Sequence, residues 1–161
     1  MYPVLEVARY IVNYCNDKNY SISNLKLQKL LYFVQAYFLI ASPNKEPCFG
    51  EAMEAWDFGP VVPVVYSEFK RFGGTNIPKI SNYYINTTGK IFDYQPVKFE
   101  NNVISDNDKV LINDVLEKFK WYTAADLVNI THNQDPWIKA YANGRGSVIG
   151  IESMRSYFTY E

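Results

Sequence analysis

The chain has 161 residues, a formal net charge of −1 from 16 basic and 17 acidic residues, and an aromatic share of 17% supplied mostly by 14 tyrosines and 10 phenylalanines. That length suits one domain, which buries roughly 68–70% of the surface of its unfolded chain and needs no covalent staples. The balanced charge gives no support for duplex binding, which draws most of its affinity from a basic excess that neutralises phosphates.

The first predicted helix runs from Pro3 to about Asn16, with Val4, Val7, Ala8, Ile11, Val12 and Cys15 at helical spacing. Pro3 fits its first turn, where a missing N–H costs nothing. After the polar break Asn16-Asp17-Lys18-Asn19, a second helix spans Leu25 to Ala41, free of Gly and Pro and capped by Ser23. Leu27, Leu30, Leu31, Val34 and Phe38 form one stripe, and Phe33, Tyr37 and Ile40 fill much of the remaining circumference. A helix apolar on nearly all sides belongs at the centre of a domain. Ser42-Pro43-Asn44 ends it. Pro47 to Phe58 reads as extended, Phe58-Gly59-Pro60 as a turn, and Pro63 as the start of a third helix carrying Val64, Val65, Phe69 and Phe72. Gly73-Gly74 stops that helix.

Residues 75–103 hold short β-prone pieces at Tyr83–Asn86, Lys90–Tyr94 and Pro96–Phe99, which predict a small hairpin or an irregular excursion. Ser105 with Asp108 opens a fourth helix in the manner of a capping box, and Thr123 with Asp126 opens a fifth. Asp135-Pro136 starts a short sixth helix with Trp137, Ile138 and Ala140. Asn143-Gly144-Arg145-Gly146 is a loop, and Ile151 to about Phe158 a terminal helix. The expected fold class is therefore mainly α: a compact single domain over residues 1–161, built around a central apolar helix, with a small β hairpin or sheet element. Cys15 and Cys48 make no disulfide framework and read as reduced thiols. No signal peptide is visible at the N-terminus, and the most apolar stretch, Leu30 to Ala41, falls short of the ~20 residues a bilayer span takes. A soluble cytoplasmic protein without membrane contact is expected.

Motifs for chemistry are sparse. A zinc site needs about four clustered Cys, His or carboxylate ligands, and one His with two distant Cys does not supply them. There is no Gly-x-Ser-x-Gly elbow, no phosphate-binding loop and no dinucleotide fingerprint. No metal or cofactor is expected. His132, the only histidine, could act as a general base oriented by Asp126 or Asp135. The reading preferred here is a helix-terminus histidine bonding a backbone carbonyl. Glu51 and Glu54, three apart in an extended segment, point to opposite faces and read as exposed charge. Lys26 and Lys29 read as a solvated helix edge, and Lys70 with Arg71 as cations complementing a helix C-terminus. In Ala55-Trp56-Asp57-Phe58-Gly59-Pro60, two large aromatics flank an acid. On a half-buried strand Trp56 and Phe58 share a face, and Asp57 is exposed or caps the third helix. Trp56, Asp57, Phe58, Tyr83 and Tyr84 are the candidate partner-binding residues, because interface hot spots favour Trp, Tyr and Arg.

Leu25-Lys26-Leu27-Gln28-Lys29-Leu30-Leu31-Tyr32-Phe33, followed by Glu54-Ala55-Trp56-Asp57-Phe58-Gly59-Pro60-Val61-Val62-Pro63-Val64-Val65-Tyr66 and much later by Thr131-His132 and Pro136-Trp137, resembles the Panacea domain of SocA-like antitoxins and GepA-like phage-associated proteins. The resemblance runs over nearly the whole chain and leaves residues 75–103 without a matching motif. It implies a compact, mainly helical fold and a toxin–antitoxin or prophage setting, in which the domain neutralises a cognate toxin by direct contact. In some branches such a protein instead acts as an adaptor that delivers its partner to a protease. The resemblance carries no catalytic residue across; Lys29, His132 and Trp137 fall on motif positions, where a structural role suits them. The expected function is an antitoxin-type binding module and not an enzyme; a proteolytic adaptor is the first alternative and a small enzyme using His132 the second, with nucleic acid not an expected partner.

Overall fold

The computed structural model describes residues 1–160. Helix α2, Asn24–Ala41, is the longest element, and 14 of its residues are buried, so neighbours must cover it on every side. Ser23 caps it by accepting the Lys26 N–H at 3.2 Å. Helices α1 (Val4–Asp17), α3 (Pro63–Phe69), α4 (Asp106–Phe119), α5 (Ala124–His132) and α7 (Ile151–Tyr160) all pack on α2. Helix α6 (Asp135–Ala142) sits outside them, against α5, α7 and the short strand Glu54–Trp56. Two antiparallel hairpins complete the described residues: β1 (Glu54–Trp56) with β2 (Gly59–Val61), and β3 (Asn82–Asn86) with β4 (Tyr94–Lys98). The architecture is the mainly helical one the sequence predicts, with α2 at its centre. No described helix is long and apolar enough to cross a membrane.

Apolar contacts fill most of the core. Phe33 stacks on Phe119 at 4.3 Å between ring centres, and Phe158 meets Tyr32 and Phe33 edge-on. Yet α2 also buries Asn24, Lys26, Gln28, Lys29 and Gln35. Buried polar groups need partners, and these find most of theirs on the main chain. Gln35 Oε1 accepts the N–H groups of Cys48 (2.8 Å) and Phe49 (3.3 Å), while its Nε2 donates to the Phe49 carbonyl at 2.8 Å. The side chain thus does for residues 48–49 what a neighbouring strand would do. Of the stretch expected to be extended, only Glu54–Trp56 pairs as a strand, and Phe58 lies in a turn. Gln28 accepts the Val62 N–H at 2.9 Å and donates to Asn24, which in turn donates to the Tyr66 carbonyl.

The solvated edge expected for Lys26 and Lys29 is not found. Both are buried, because α4, α5 and β2 close over that side of α2. Lys26 Nζ donates to the Lys120 carbonyl at the end of α4, where a cation complements the helix dipole. Arg155 does the same for α2 itself, reaching the Leu39 and Lys45 carbonyls at 3.0 and 2.6 Å. Glu117 on α4 receives the hydroxyls of Tyr14 and Tyr20 and the Lys120 ammonium. These donors, Tyr14 foremost, hold its carboxyl at about 2.

Helix starts follow the expected capping chemistry with one difference. Thr123 and Asp126 close a full capping box. Ser105 accepts the Asp108 N–H, but the Asp108 carboxylate takes the Tyr2 hydroxyl instead of turning back on its own helix. Residues 90–93, read as β-prone, form the tip of the second hairpin, because Asn86 and Thr88 bind Gly89, Lys90 and Asp93 across it.

Gln35→Leu leaves the N–H groups of Cys48 and Phe49 and the Phe49 carbonyl without their side-chain partner, at ~1–3 kcal/mol each before the offset from an added buried apolar side chain and local relaxation. Urea unfolding is expected to show a loss of about 2–4 kcal/mol, against less than about 0.5 kcal/mol for Gln95→Ala on the exposed β4 strand.

Candidate protein-docking site

Hairpin β1–β2 has three residues in each strand, with Ala55 opposite Pro60 and Trp56 opposite Gly59. Asp57 and Phe58 make the turn, one residue earlier than the Gly-Pro pair suggests, because Gly59 and Pro60 belong to β2. An isolated two-stranded hairpin is marginal in water, and this one is held from three directions. Residues 146–149 run antiparallel along β1, pairing Ala55 N–H with the Ser147 carbonyl, Gly146 N–H with the Ala55 carbonyl and Ile149 N–H with the Met53 carbonyl, each at 2.8 Å.

From below, the Lys29 ammonium donates to the Pro60 carbonyl at 2.8 Å. Lys29 is 0% exposed, and no carboxylate lies within ion-pair distance among the described residues. Burial lowers its pKa to about 7, so it serves as an internal hydrogen-bond donor. Gly59 rests directly on it. The residue has φ +101°, and an added Cβ would fall 2.7 Å from Lys29 Cε and 2.8 Å from Thr131 Oγ1. Backbone conformation and space both demand glycine here.

From the side, three rings form a ladder. His132 at the end of α5 stacks on Trp137 of α6 at 4.2 Å, and Trp137 stacks on Tyr141 one turn later at 4.6 Å. Each ring reaches the turn. His132 Nε2 lies 2.9 Å from the Asp57 carbonyl; that oxygen only accepts, so Nε2 carries the hydrogen. Trp137 Nε1 donates to the Trp56 carbonyl at 2.9 Å, and the Tyr141 hydroxyl donates to Asp57 Oδ1 at 2.8 Å. Arg145 Nε is 3.1 Å from the same carboxylate oxygen. The accepting carboxylate, ahead of burial, raises the Tyr141 pKa. Asp57 therefore faces Tyr141 and Arg145 and does not cap α3. His132 has its Nε2 on a main-chain carbonyl and one face on Trp137, an arrangement that positions a turn.

Trp56 and Phe58 have different surroundings. Trp56 is half-buried, with its ring edge-on to Tyr66 at 5.1 Å and its Nε1 donating to Glu54 at 2.7 Å. Phe58 projects from the turn and is 67% exposed. Beside it opens a groove of about 380 Å³, walled by Leu25, Trp56, Phe58, Val61 and Tyr66, with Lys70 and Arg145 also lining it. Tyr83 and Tyr84 belong to a second groove of about 500 Å³. Tyr83 is half-buried beneath the Arg9 guanidinium, 3.6 Å from its ring centre, whereas Tyr84 is 58% exposed. Lys70, in the 3₁₀ turn Lys70–Phe72 that extends α3, borders both grooves. The candidate residues thus form two adjoining groups on either side of that turn.

Tyr141 and Arg145 are site residues that sequence reasoning missed. Tyr141 lies four positions after Trp137, the spacing that places side chains on one helix face; nothing in the sequence marks Arg145. Other polar groups have structural tasks. Glu51 accepts the Val4 N–H at 3.1 Å, and Glu54 serves Trp56. Cys15 and Cys48 are free and buried; burial pushes the Cys15 thiol to about 11 and Cys48 higher still, which leaves both unreactive.

Gly59→Ala combines a steric clash with a strained backbone, and a loss of about 2–4 kcal/mol is expected by chemical denaturation. Lys29 gives a pH signature. The unfolded lysine keeps its proton to about 10.5 and the folded one only to about 7, so the unfolded state binds more protons between those values and stability rises with pH across that window. Lys29→Met removes this rise, and its stability deficit relative to the parent is expected to widen in urea titrations from pH 7 to pH ~9.5, below the range where tyrosines titrate.

The sequence profile of the Antitoxin SocA-like, Panacea domain family matches residues 27–138, a span that takes in Lys29, the clamped hairpin, His132 and Trp137. Antitoxin SocA of Caulobacter vibrioides (strain NA1000 / CB15N) is 36% identical over 150 residues, covering 89% of this chain and 74% of that protein. No solved structure matches the chain. With a family profile covering most of its central helix, its first hairpin and two of the three stacked rings, the chain belongs to the Antitoxin SocA-like, Panacea-domain family.

Proposed function

We propose that this protein is an antitoxin-type binding module that neutralises a cognate toxin by direct contact, with the turn at Trp56–Phe58 central to the contact surface. Family membership and the likeness to Antitoxin SocA support the antitoxin role. The observation that carries the choice of surface is the clamp. Lys29, His132, Trp137, Tyr141 and Arg145 all fix a short turn whose one large apolar side chain, Phe58, is left outside beside an apolar groove. A side chain presented on a fixed backbone loses little conformational freedom when it docks, which favours affinity. Aromatic anchors of this kind dominate interface energetics. Tyr84, across Lys70, would extend the contact. Neutralisation then consists of occluding the toxin's working surface, and His132 acts by positioning the turn and not by acid–base chemistry.

The test is co-expression with the product of the neighbouring gene. Phe58→Asp is expected to abolish growth rescue and to weaken binding about 30-fold or more, while its unfolding free energy in urea stays within about 0.5 kcal/mol of the parent. Occlusion further predicts that rescue persists in a host lacking its ATP-dependent proteases; loss of rescue there would point to delivery for degradation. Undiminished rescue by Phe58→Asp would remove this surface from consideration.

A further inference from the structure

We infer that the segment this surface recognises on its partner is acidic and carries an apolar anchor: an aromatic or leucine side chain flanked within a few residues by aspartates or glutamates. The inference rests on the docking surface proposed above and concerns the chemistry of its ligand. The two grooves meet at the 3₁₀ turn Lys70–Phe72. Together they are lined by the cations Arg9, Lys70, Arg71, Lys79 and Arg145 and by only two carboxylates, Asp57 and Glu68, in a chain whose overall charge is −1. Cations therefore outnumber carboxylates along the lining of the two grooves.

Most of these cations are neutralised within the protein. Arg9 lies between Glu6 (3.6 Å) and Glu68 (3.9 Å), Lys79 pairs with Asp17 at 2.5 Å, and Arg145 pairs with Asp57. Lys70 and Arg71 are the exceptions: among the described residues neither has a carboxylate within 4.0 Å. They occupy the ridge itself, with the Arg71 guanidinium 4.8 Å from the Phe72 ring centre. Lys70 borders the apolar groove beside Phe58 and Arg71 the adjoining groove, so this pair of cations without a carboxylate partner selects for carboxylates next to an apolar side chain. Complementary charge of this kind steers association and sets register. A nucleic acid is disfavoured as the occupant, because two cations without a carboxylate partner neutralise few phosphates and the wall beside Phe58 is apolar.

Selection of a phage-displayed random dodecapeptide library on the immobilised full chain tests this. Enriched sequences are expected to carry two or more acidic residues close to Phe, Trp or Leu. The best of them, synthesised, is expected to bind at least about tenfold more weakly to Lys70→Glu/Arg71→Glu, to recover with Lys70→Arg/Arg71→Lys, and to weaken as salt is raised. Circular dichroism and melting temperature check that the variants stay folded. Peptides that ignore the charge reversal but are lost with Phe58→Asp would sink the acidic ligand while leaving the docking surface standing. Peptides indifferent to all three variants would sink both. Failure to enrich acidic sequences, or a ~20-nucleotide single strand that binds in a Lys70- and Arg71-dependent manner while peptides do not, would equally overturn the inference.

Discussion

A helix buried along most of its length must pair the amides and ammonium groups it carries, and the fold is organised by how α2 does so; the Tyr32 hydroxyl is the buried group on α2 that has no hydrogen-bond partner among the described residues. Asn24, Lys26, Gln28, Lys29 and Gln35 are all buried. Between them they bind main-chain groups at residues 48, 49, 60, 62, 66 and 120. Leaving such a group unpaired costs far more than a formed hydrogen bond contributes. The segments between the helices are therefore held by side chains where a larger β-sheet would otherwise hold them.

The first hairpin is where this device meets function. Lys29 grips it from the core, residues 146–149 flank it, and the His132–Trp137–Tyr141 ladder grips it from α5 and α6. A strand pair of six residues has no core of its own, yet its turn is fixed by contacts from three separate parts of the chain. Rigidity comes from polar contacts beneath, so the outer surface is left open for Phe58. The second hairpin contrasts with it: it stands largely exposed, attached through the Arg9–Tyr83 stack and the Asn13 side chain on Ile80.

Local chemistry was legible in the sequence, and long-range polar chemistry was not. Ser23, Thr123, Pro63 and Pro136 mark helix starts because caps and N-terminal prolines act within four residues. The apolar circumference of α2 announced its central place. Lys26 and Lys29 misled for the opposite reason: a lysine on a helix reads as a solvated edge unless the carbonyl it will meet is known, and those carbonyls lie 94 and 31 residues away. Phe58 and Trp56 could not be separated by alternation, because the turn begins at Asp57 and breaks the strand's period. The Thr-His and Pro-Trp strings and the Trp-Asp-Phe-Gly-Pro string were each visible, but their union depends on a stack of rings that no spacing rule encodes.

The grip on the first hairpin is directed mainly at peptide carbonyls: Trp56, Asp57 and Pro60 are all held through their main-chain oxygens. Every amino acid brings an identical oxygen to that spot. The scaffold is consequently indifferent to what projects from position 58, and a lineage can rewrite its outward-facing vocabulary one codon at a time without dismantling the frame that displays it.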